Sequence, residues 1–418
     1  MLKYEVHTSL SVNYLIMLYA AVLPLGFALS NIVMAVMCVF LLFLCFVKRI
    51  KLSKDRLIWI IIFSSYFILC LLSLLYTNDL DQGFVSLLRK SPIIIFSIFI
   101  LLLKDYLKPS YIKRALYAYT ASIVLVCIVS LILALSNCLE NASGFTIACI
   151  SGEHLASSFI SYHKLYLALY ITIGIYFANF VLFKRGNTKK RYLLRLFTNL
   201  VLILALILLG SRTMLTITLI FLVIVPQIIW FRKKLYAYSI LSLIALIMVV
   251  GLNLKYNPVL VERVKESINY NNEYGIKRQW GGAAVRKLIW EYTYYVVKEN
   301  PVFGVGLGDV QTELNRSYEN CTESSALKQS TYNAHNDLLQ MLVATGIFGL
   351  SIFLLCYSYI FMTSFKKLNY VYCGFLALFF LSGLTESYLE RDMGIRIFAF
   401  FSPLLFVYKS LDENTPNT

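Results

Sequence analysis

The stretch "STYNAHNDLLQMLVATGIFGL", residues 330–350, changes character in its middle. Ser330, Thr331, Tyr332 and Asn333 read as polar loop, an apolar run begins at Leu338, and His335 stands at the hinge between them. The apolar run continues to about residue 362, long enough to cross a bilayer, whose core takes roughly 20 residues of helix. Short polar loops and apolar runs alternate in this way through the whole chain, and that alternation predicts an all-α polytopic membrane protein.

Composition agrees. The chain has 418 residues, of which 59% are hydrophobic and 14% charged, with a mean hydropathy of +0.72; soluble domains carry about 25% charged residues. About twelve transmembrane helices are predicted, near 12–29, 32–47, 57–76, 91–103, 115–136, 160–183, 198–210, 213–231, 236–254, 336–362, 370–386 and 394–408. The first run passes through Ser30 and Asn31 into the second without a small-residue cleavage site, so an uncleaved first helix is expected. The net charge of +16 would suggest nucleic acid in a soluble protein. Here the lysines and arginines fall in short loops, which speaks for membrane orientation and against nucleic-acid binding.

Those loops hold Lys48, Arg49, Lys51, Lys54 and Arg56, then Lys104, Lys108, Lys113 and Arg114, then Lys184, Arg185, Lys189, Lys190, Arg191 and Arg195, then Arg232, Lys233 and Lys234, and finally Lys366 and Lys367. With twelve spans they all lie on one face, expected to be cytoplasmic together with both termini. The chain reads as a single polytopic domain, 1–418, with one long loop, 255–335, inserted between spans nine and ten on the opposite, periplasmic face. A structureless loop of that length is uncommon. "AAVRKLIWEYTYYVVKENP" (283–301) sets Val285, Leu288, Ile289, Tyr292 and Val296 at helical spacing, and Asn300-Pro301 ends the pattern. A helical subdomain resting on the outer face is expected there. Six of nine cysteines lie in spans; of the others, Cys138 and Cys149 are suited to a bridge in an oxidising compartment, and free thiols are equally compatible with the sequence.

Several residues outside the apolar runs could carry chemistry. In "LLGSRTMLTI" (208–217), Gly210-Ser211-Arg212 makes a turn so tight that Arg212 stays near the bilayer, either as an interfacial arginine or as a clamp for a phosphate or diphosphate. Arg286 opens the loop helix beside its apolar stripe, while Lys287 and Glu291 can pair with each other. Arg89 and Lys90, in "VSLLRKSPII" (85–94), sit just outside the fourth span, as interfacial anchors or at the periphery of a site. "NPVFGVGLGDV" (300–310) is not a dinucleotide fingerprint, because Asp309 stands where the third glycine is needed; it reads as a tight-turning loop. The four histidines show no ligand spacing, so neither metal nor cofactor is expected. Asp79 and Asp81 form a short acidic pair of the kind by which some sugar-transfer enzymes hold a divalent ion, and read here rather as a solvated turn. Glu386, Glu390, Arg391, Asp392 and Arg396 line the last outer loop, where they could join a site or pair with one another, and mutual pairing is expected. Asn333 is read as the N-cap of the tenth span and His335 as part of its first turn. The positive end of a helix there would favour a neutral, proton-accepting ring. Gly346 and Gly349 read as helix-packing positions.

From His335 to Gly349 the sequence reads His-Asn, nine residues, Gly, two residues, Gly. This resembles the pattern of bacterial O-antigen ligases. So do an arginine at a turn between two spans, as in "GSRTML", and an arginine heading a loop helix that is followed by Asn-Pro and glycines. The chain is identified on these motifs as a member of the O-antigen ligase and polymerase superfamily, with the resemblance concentrated in a ligase-like region, 200–350. The resemblance implies a GT-C-like, inverting, metal-independent glycosyltransferase of the bacterial inner membrane. It would take a glycan from undecaprenyl diphosphate and pass it, at the periplasmic face, to a hydroxyl of lipid A–core. In the polymerases of the same superfamily the acceptor is another lipid-linked repeat. Carried over by position, His335 would be the general base and Arg212 and Arg286 the donor diphosphate clamps. The residue types suit that chemistry: a diphosphate leaving group needs fixed cations, and a sugar hydroxyl needs a base. A transporter of lipid-linked sugars is the rival class, but its functional residues would sit near mid-bilayer, where these spans are almost free of ionisable groups.

Overall fold

The computed structural model describes residues 2–48, 50, 52–140, 146–160, 162–182, 189–224, 240, 283–321, 325–329 and 331–412. Among them there are helices and no strand. In chain order they are α1 (Leu2–Val22), α2 (Phe27–Lys48), α3 (Lys54–Phe63), α4 (Ser65–Ser73), α5 (Leu80–Leu102), α6 (Pro109–Glu140), α7 (Glu153–Ser157), α8 (Lys164–Phe177) and α9 (Lys189–Leu209). Then follow α10 (Arg212–Leu219), α11 (Ala283–Glu299), α12 (Val310–Glu319), α13 (Ser325–Lys328), α14 (Asp337–Lys366), α15 (Tyr370–Gly383) and α16 (Asp392–Asp412).

Seven of the described helices are long and apolar enough to cross a membrane, and eight if α3 and α4, bent by 66° at Ser64, count as one broken span. Twelve spans are therefore not shown among the described residues. The expected span 236–254 lies, but for Ile240, outside the described residues, as do residues 225–231 of the expected span 213–231. α15 has 14 residues, which at ~1.5 Å per residue is shorter than a ~30 Å hydrocarbon core. α16 carries Asp392, Arg396 and Pro403 within its length.

The bundle has two chemically different ends. At one end Ser9 and Asn13 of α1 donate to the carbonyl of Tyr106 at 2.8 Å, and Arg56 binds the Leu102 carbonyl and the Asp105 carboxylate. Trp59 stacks on Tyr359 and meets Phe406 at a tilt of 46°, and Lys367 lies over Phe406. The predicted basic loops that are described gather here. At the other end the Tyr162 hydroxyl reaches the Pro24 carbonyl, Gly152 N–H the Leu208 carbonyl, and Tyr76 the Phe303 carbonyl. A Cys138–Cys149 disulfide closes the segment between α6 and α7.

The described part of the 255–335 loop, α11 to α13, sits at this second end. It has a core of its own: Val285, Leu288, Ile289, Val296, Val310, Leu314, Tyr318 and Leu327 pack with Val343 and Ala344 of α14. Apart from half-buried Tyr292, the stripe read from the sequence is buried, and α11 ends at Glu299, immediately before Asn300-Pro301.

Gly346 is not a simple packing position. It breaks α14 at φ 63°, ψ −170°, and the glycine loop docks into the break. Val305 and Gly306 N–H donate to the carbonyls of Val343 and Ala344, and Ile347 and Phe348 N–H donate to those of Pro301 and Val302. A Cβ on Gly304 would collide with the Val343 carbonyl, and one on Gly346 with that of Val302. Both glycines have positive φ, so the approach needs glycine for space and for conformation.

Candidate functional site

The site is built where α14 begins. Its N-cap is Asn336, not Asn333: the Asn336 side chain accepts the N–H groups of Leu338 and Leu339 at 2.9 and 3.1 Å. Asn333 instead accepts the N–H of His335 at 3.0 Å. His335 thus precedes the helix rather than opening it, and holds φ 44°, a region that non-glycine residues occupy rarely and at a cost of order 1–3 kcal/mol. Neighbouring bonds over-determine it. Ala334 N–H donates to Gln340 Oε1 at 2.8 Å, Asn336 N–H to Ser387 Oγ at 3.0 Å, and Asn336 Nδ2 to the Leu384 carbonyl at 3.0 Å. Leu389 N–H donates to Asp337 Oδ1 at 2.8 Å. The 384–390 loop is laced to residues 336–337, one bond after another.

That lacing brings Glu386 to the histidine. His335 Nδ1 lies 2.8 Å from Glu386 Oε2, and Arg286 Nη2 lies 3.9 Å from the same oxygen. Glu386 is 4% exposed. Burial pushes its carboxyl pKa up, but the hydrogen bond and charge of His335, with the charges of Arg286 and His163, outweigh that and hold it below the usual carboxylate range. An ionised carboxylate only accepts, so Nδ1 carries the hydrogen and Nε2 is left as the accepting nitrogen. Tyr332 faces the imidazole with ring centres 5.6 Å apart.

A second histidine borders this group. His163 Nε2 lies 3.2 Å from Glu153 Oε1, and its ring caps α8 through Nδ1. Burial lowers its pKa, and the nearby carboxylates of Glu153 and Glu386 oppose that shift only in part.

The predicted residues divide. Arg286 joins His335 through Glu386. Arg212 is the first residue of α10, after the turn at Gly210 with φ 65°. It heads that helix at the same end of the bundle, where Met214 Sδ meets the Ser382 hydroxyl of α15 at 3.8 Å. Lys90 is not an interfacial anchor outside a span. It lies within α5, is fully buried, and bonds Glu390 Oε2 at 2.9 Å, while Tyr66 Oη bonds the other oxygen at 2.8 Å. Arg89 lies 4.0 Å from Asp392, which also meets Arg396 at 3.5 Å. The charged residues of the last outer loop are therefore paired, Asp392 with Arg396 among themselves, and Glu386, Glu390 and Asp392 with His335, α11 and α5 as well.

Asp309 accepts Asn78 N–H at 2.6 Å, Asp79 N–H at 3.0 Å and the Thr77 hydroxyl at 3.1 Å, which makes it a brace for the chain before α5. Asp79 caps α5 through Gln82 N–H, and Asp81 lies in its first turn. Among the described residues no three His, Cys, Asp or Glu side chains gather as metal ligands would. Sequence reasoning left Glu386 among outer-loop charges that could join a site or pair with one another, and did not pair it with His335; their separation of 51 residues offers no periodicity from which to do so.

No curated protein matches the chain significantly. Residues 197–354 match the family model described as O-antigen ligase, a stretch that contains the ligase-like region expected at 200–350. That stretch, which includes Arg212, Arg286 and His335, is what this chain has in common with the O-antigen ligase family.

Proposed function

We propose that the protein is an inverting, metal-independent glycosyltransferase of GT-C-like build that moves a glycan from undecaprenyl diphosphate to a hydroxyl of lipid A–core, at the periplasmic face of the bacterial inner membrane. The observation that carries this reading is the His335–Glu386 contact at 2.8 Å beside Arg286. Glu386 fixes the tautomer in which Nε2 accepts a proton, and its charge stabilises the imidazolium that forms.

The steps balance without a further reagent. Nε2 of His335 takes the acceptor O–H proton as that oxygen bonds to the anomeric carbon. The bond from that carbon to the diphosphate oxygen breaks, and its electron pair leaves with the diphosphate. Arg212 and Arg286 are the cations assigned to that growing charge, each guanidinium offering a bidentate fork. A diphosphate already leaves readily, so no general acid is invoked. The membrane supplies both lipid-linked substrates, which agrees with a site at the end of an apolar bundle.

Deletion followed by a glycan gel tests the reading. Loss of ligation leaves polymer on its lipid carrier and bare core. If deletion instead leaves core bearing a single repeat, the protein is a repeat-unit polymerase of the same superfamily. Reconstitution with lipid-linked glycan separates both from a transporter, since only a transferase releases undecaprenyl diphosphate.

A further inference from the structure

His335 and Glu386 stand 51 residues apart in the chain, so their contact depends on what fixes the 384–390 loop to the start of α14. The ties run to the two residues that follow His335. Asn336 Nδ2 donates to the Leu384 carbonyl at the loop's beginning, Asn336 N–H to Ser387 Oγ in its middle, and Leu389 N–H to Asp337 Oδ1 near its end. The next residue, Glu390, is held by Lys90 and Tyr66. That pair anchors the loop to α5 and α4, whereas Asp337 anchors it to the segment that carries His335.

The other oxygen of that carboxylate accounts for a glycine. Gly383 is the last residue of α15, where alanine would be the better helix former. A Cβ there would stand 2.5 Å from Asp337 Oδ2 and 3.2 Å from Asp337 Cγ. The Asp337 carboxylate is thus seated between the two ends of the loop, against Gly383 on one side and Leu389 N–H on the other. The contact is with the tip of a side chain, so an alanine would displace the carboxylate rather than the backbone. A void of about 20 Å³ borders Asp337, Leu338, Gly383 and Leu389 and is otherwise walled by phenylalanine and tyrosine rings, which leaves room for that displacement.

We propose that Asp337 is a positioning residue: its carboxylate, seated between Gly383 and Leu389 N–H, holds the 384–390 loop in the place that sets Glu386 on His335 Nδ1, and Gly383 is glycine in order to admit it. The effect on turnover rests on the transferase reading; the effect on the His335–Glu386 contact does not. Without the carboxylate, Leu389 N–H loses its acceptor, the end of the loop can shift, and Glu386 leaves the imidazole. The tautomer that frees Nε2 to accept a proton is then no longer fixed.

The test uses the full chain in nanodiscs with isotope-labelled histidine. Solid-state NMR should show the downfield Nδ1–H proton of an imidazole bonded to a carboxylate; its loss in His335→Gln assigns it among the four histidines, and its loss in Glu386→Gln assigns the partner. Asp337→Ala and Gly383→Ala are both expected to lose that signal and to lower kcat by about tenfold, the scale of one hydrogen bond to a buried donor. Asp337→Asn keeps an acceptor for Leu389 and should retain the signal and most of the turnover. Adding Gly383→Ala to Asp337→Ala should cost nothing further, because the Cβ then has room. Adding either change to Glu386→Gln should also cost nothing further, because the effect runs through Glu386. Additive losses in these pairs, an unchanged signal in Asp337→Ala and Gly383→Ala, or an Asp337→Asn as impaired as Asp337→Ala overturn the inference. Should Asp337→Ala fail to fold, Gly383→Ala alone and with Glu386→Gln carries the same test, since it removes no side chain. If the signal responds as expected in a protein that transfers no glycan, the positioning of Glu386 stands and the transferase reading falls. If transfer proceeds undiminished in Asp337→Ala and Gly383→Ala, the positioning role falls and the transferase reading stands.

Discussion

At the scale of single residues, the proposed transfer rests on His335 and the groups around it. General-base catalysis is worth about 10²–10⁴-fold, so His335→Ala should lower turnover by that much while donor binding persists. A purified variant turning over within about threefold of the parent would rule the base out. Glu386→Gln keeps the shape but loses the charge that fixes the tautomer, and Glu386→Asp should restore part of the lost turnover; equal activity in all three forms would remove Glu386 from the mechanism. Arg286→Lys and Arg212→Lys keep charge but lose the bidentate fork, so both should weaken donor binding, and unchanged affinity would end their assignment. The pH dependence of stability has a definite sign. The folded state holds Glu386 below its ordinary value of about 4.5, so its contribution is complete above that value and lost as pH falls through the folded pKa. His163 is also lowered, from about 6.5; its contribution is likewise present above that value and lost below it. Thermal unfolding of the purified protein should accordingly shift to lower temperature from neutral pH downward, with the histidine step missing in His163→Gln and the more acid step missing in Glu386→Gln.

At the scale of elements, two devices hold the site. The first is the buried Lys90, bonded from the middle of α5 to Glu390 at the far end of the 384–390 loop. Removing one partner of a buried pair leaves an uncompensated charge and costs about 3–5 kcal/mol. Lys90→Met should therefore destabilise strongly, and Lys90→Met/Glu390→Gln should recover much of the loss; a double variant no better than the single would show that the pair does not act as one. The second device is the interlock of Gly304 with Gly346, where the glycine loop supplies hydrogen-bond partners to a broken α14. Gly346→Ala adds a Cβ against the Val302 carbonyl at positive φ, a strain of order 1–3 kcal/mol before any clash. Protease sensitivity of α11–α13 should rise in that variant, and an unchanged digestion pattern would count against the interlock.

At the scale of the molecule, the bundle separates a basic end from an end that carries α11–α13 and the site. Impermeant thiol labelling in intact spheroplasts should reach a cysteine placed at Asn320 and fail at Gly186, a position outside the described residues. The reverse pattern would invert the assigned orientation. Among the described residues, hydropathy alone does not register the 66° bend at Ser64 or the shortness of α15.

The sequence by itself determined the class of protein, the two ends, the amphipathic α11 and its stop before Pro301. Each of these follows from local composition or from period, which reads directly along a chain. It also carried the three motif residues Arg212, Arg286 and His335, because each stands in a short pattern of its own. Tertiary structure alone decided the rest. The partner of His335 lies 51 residues away on a loop, Lys90 is buried by a carboxylate 300 residues away, and the glycine loop finds its hydrogen-bond partners in a break of α14. No spacing encodes such pairs, since a hydrogen bond across a bundle depends on which helix ends meet, and that is settled only when the whole chain packs.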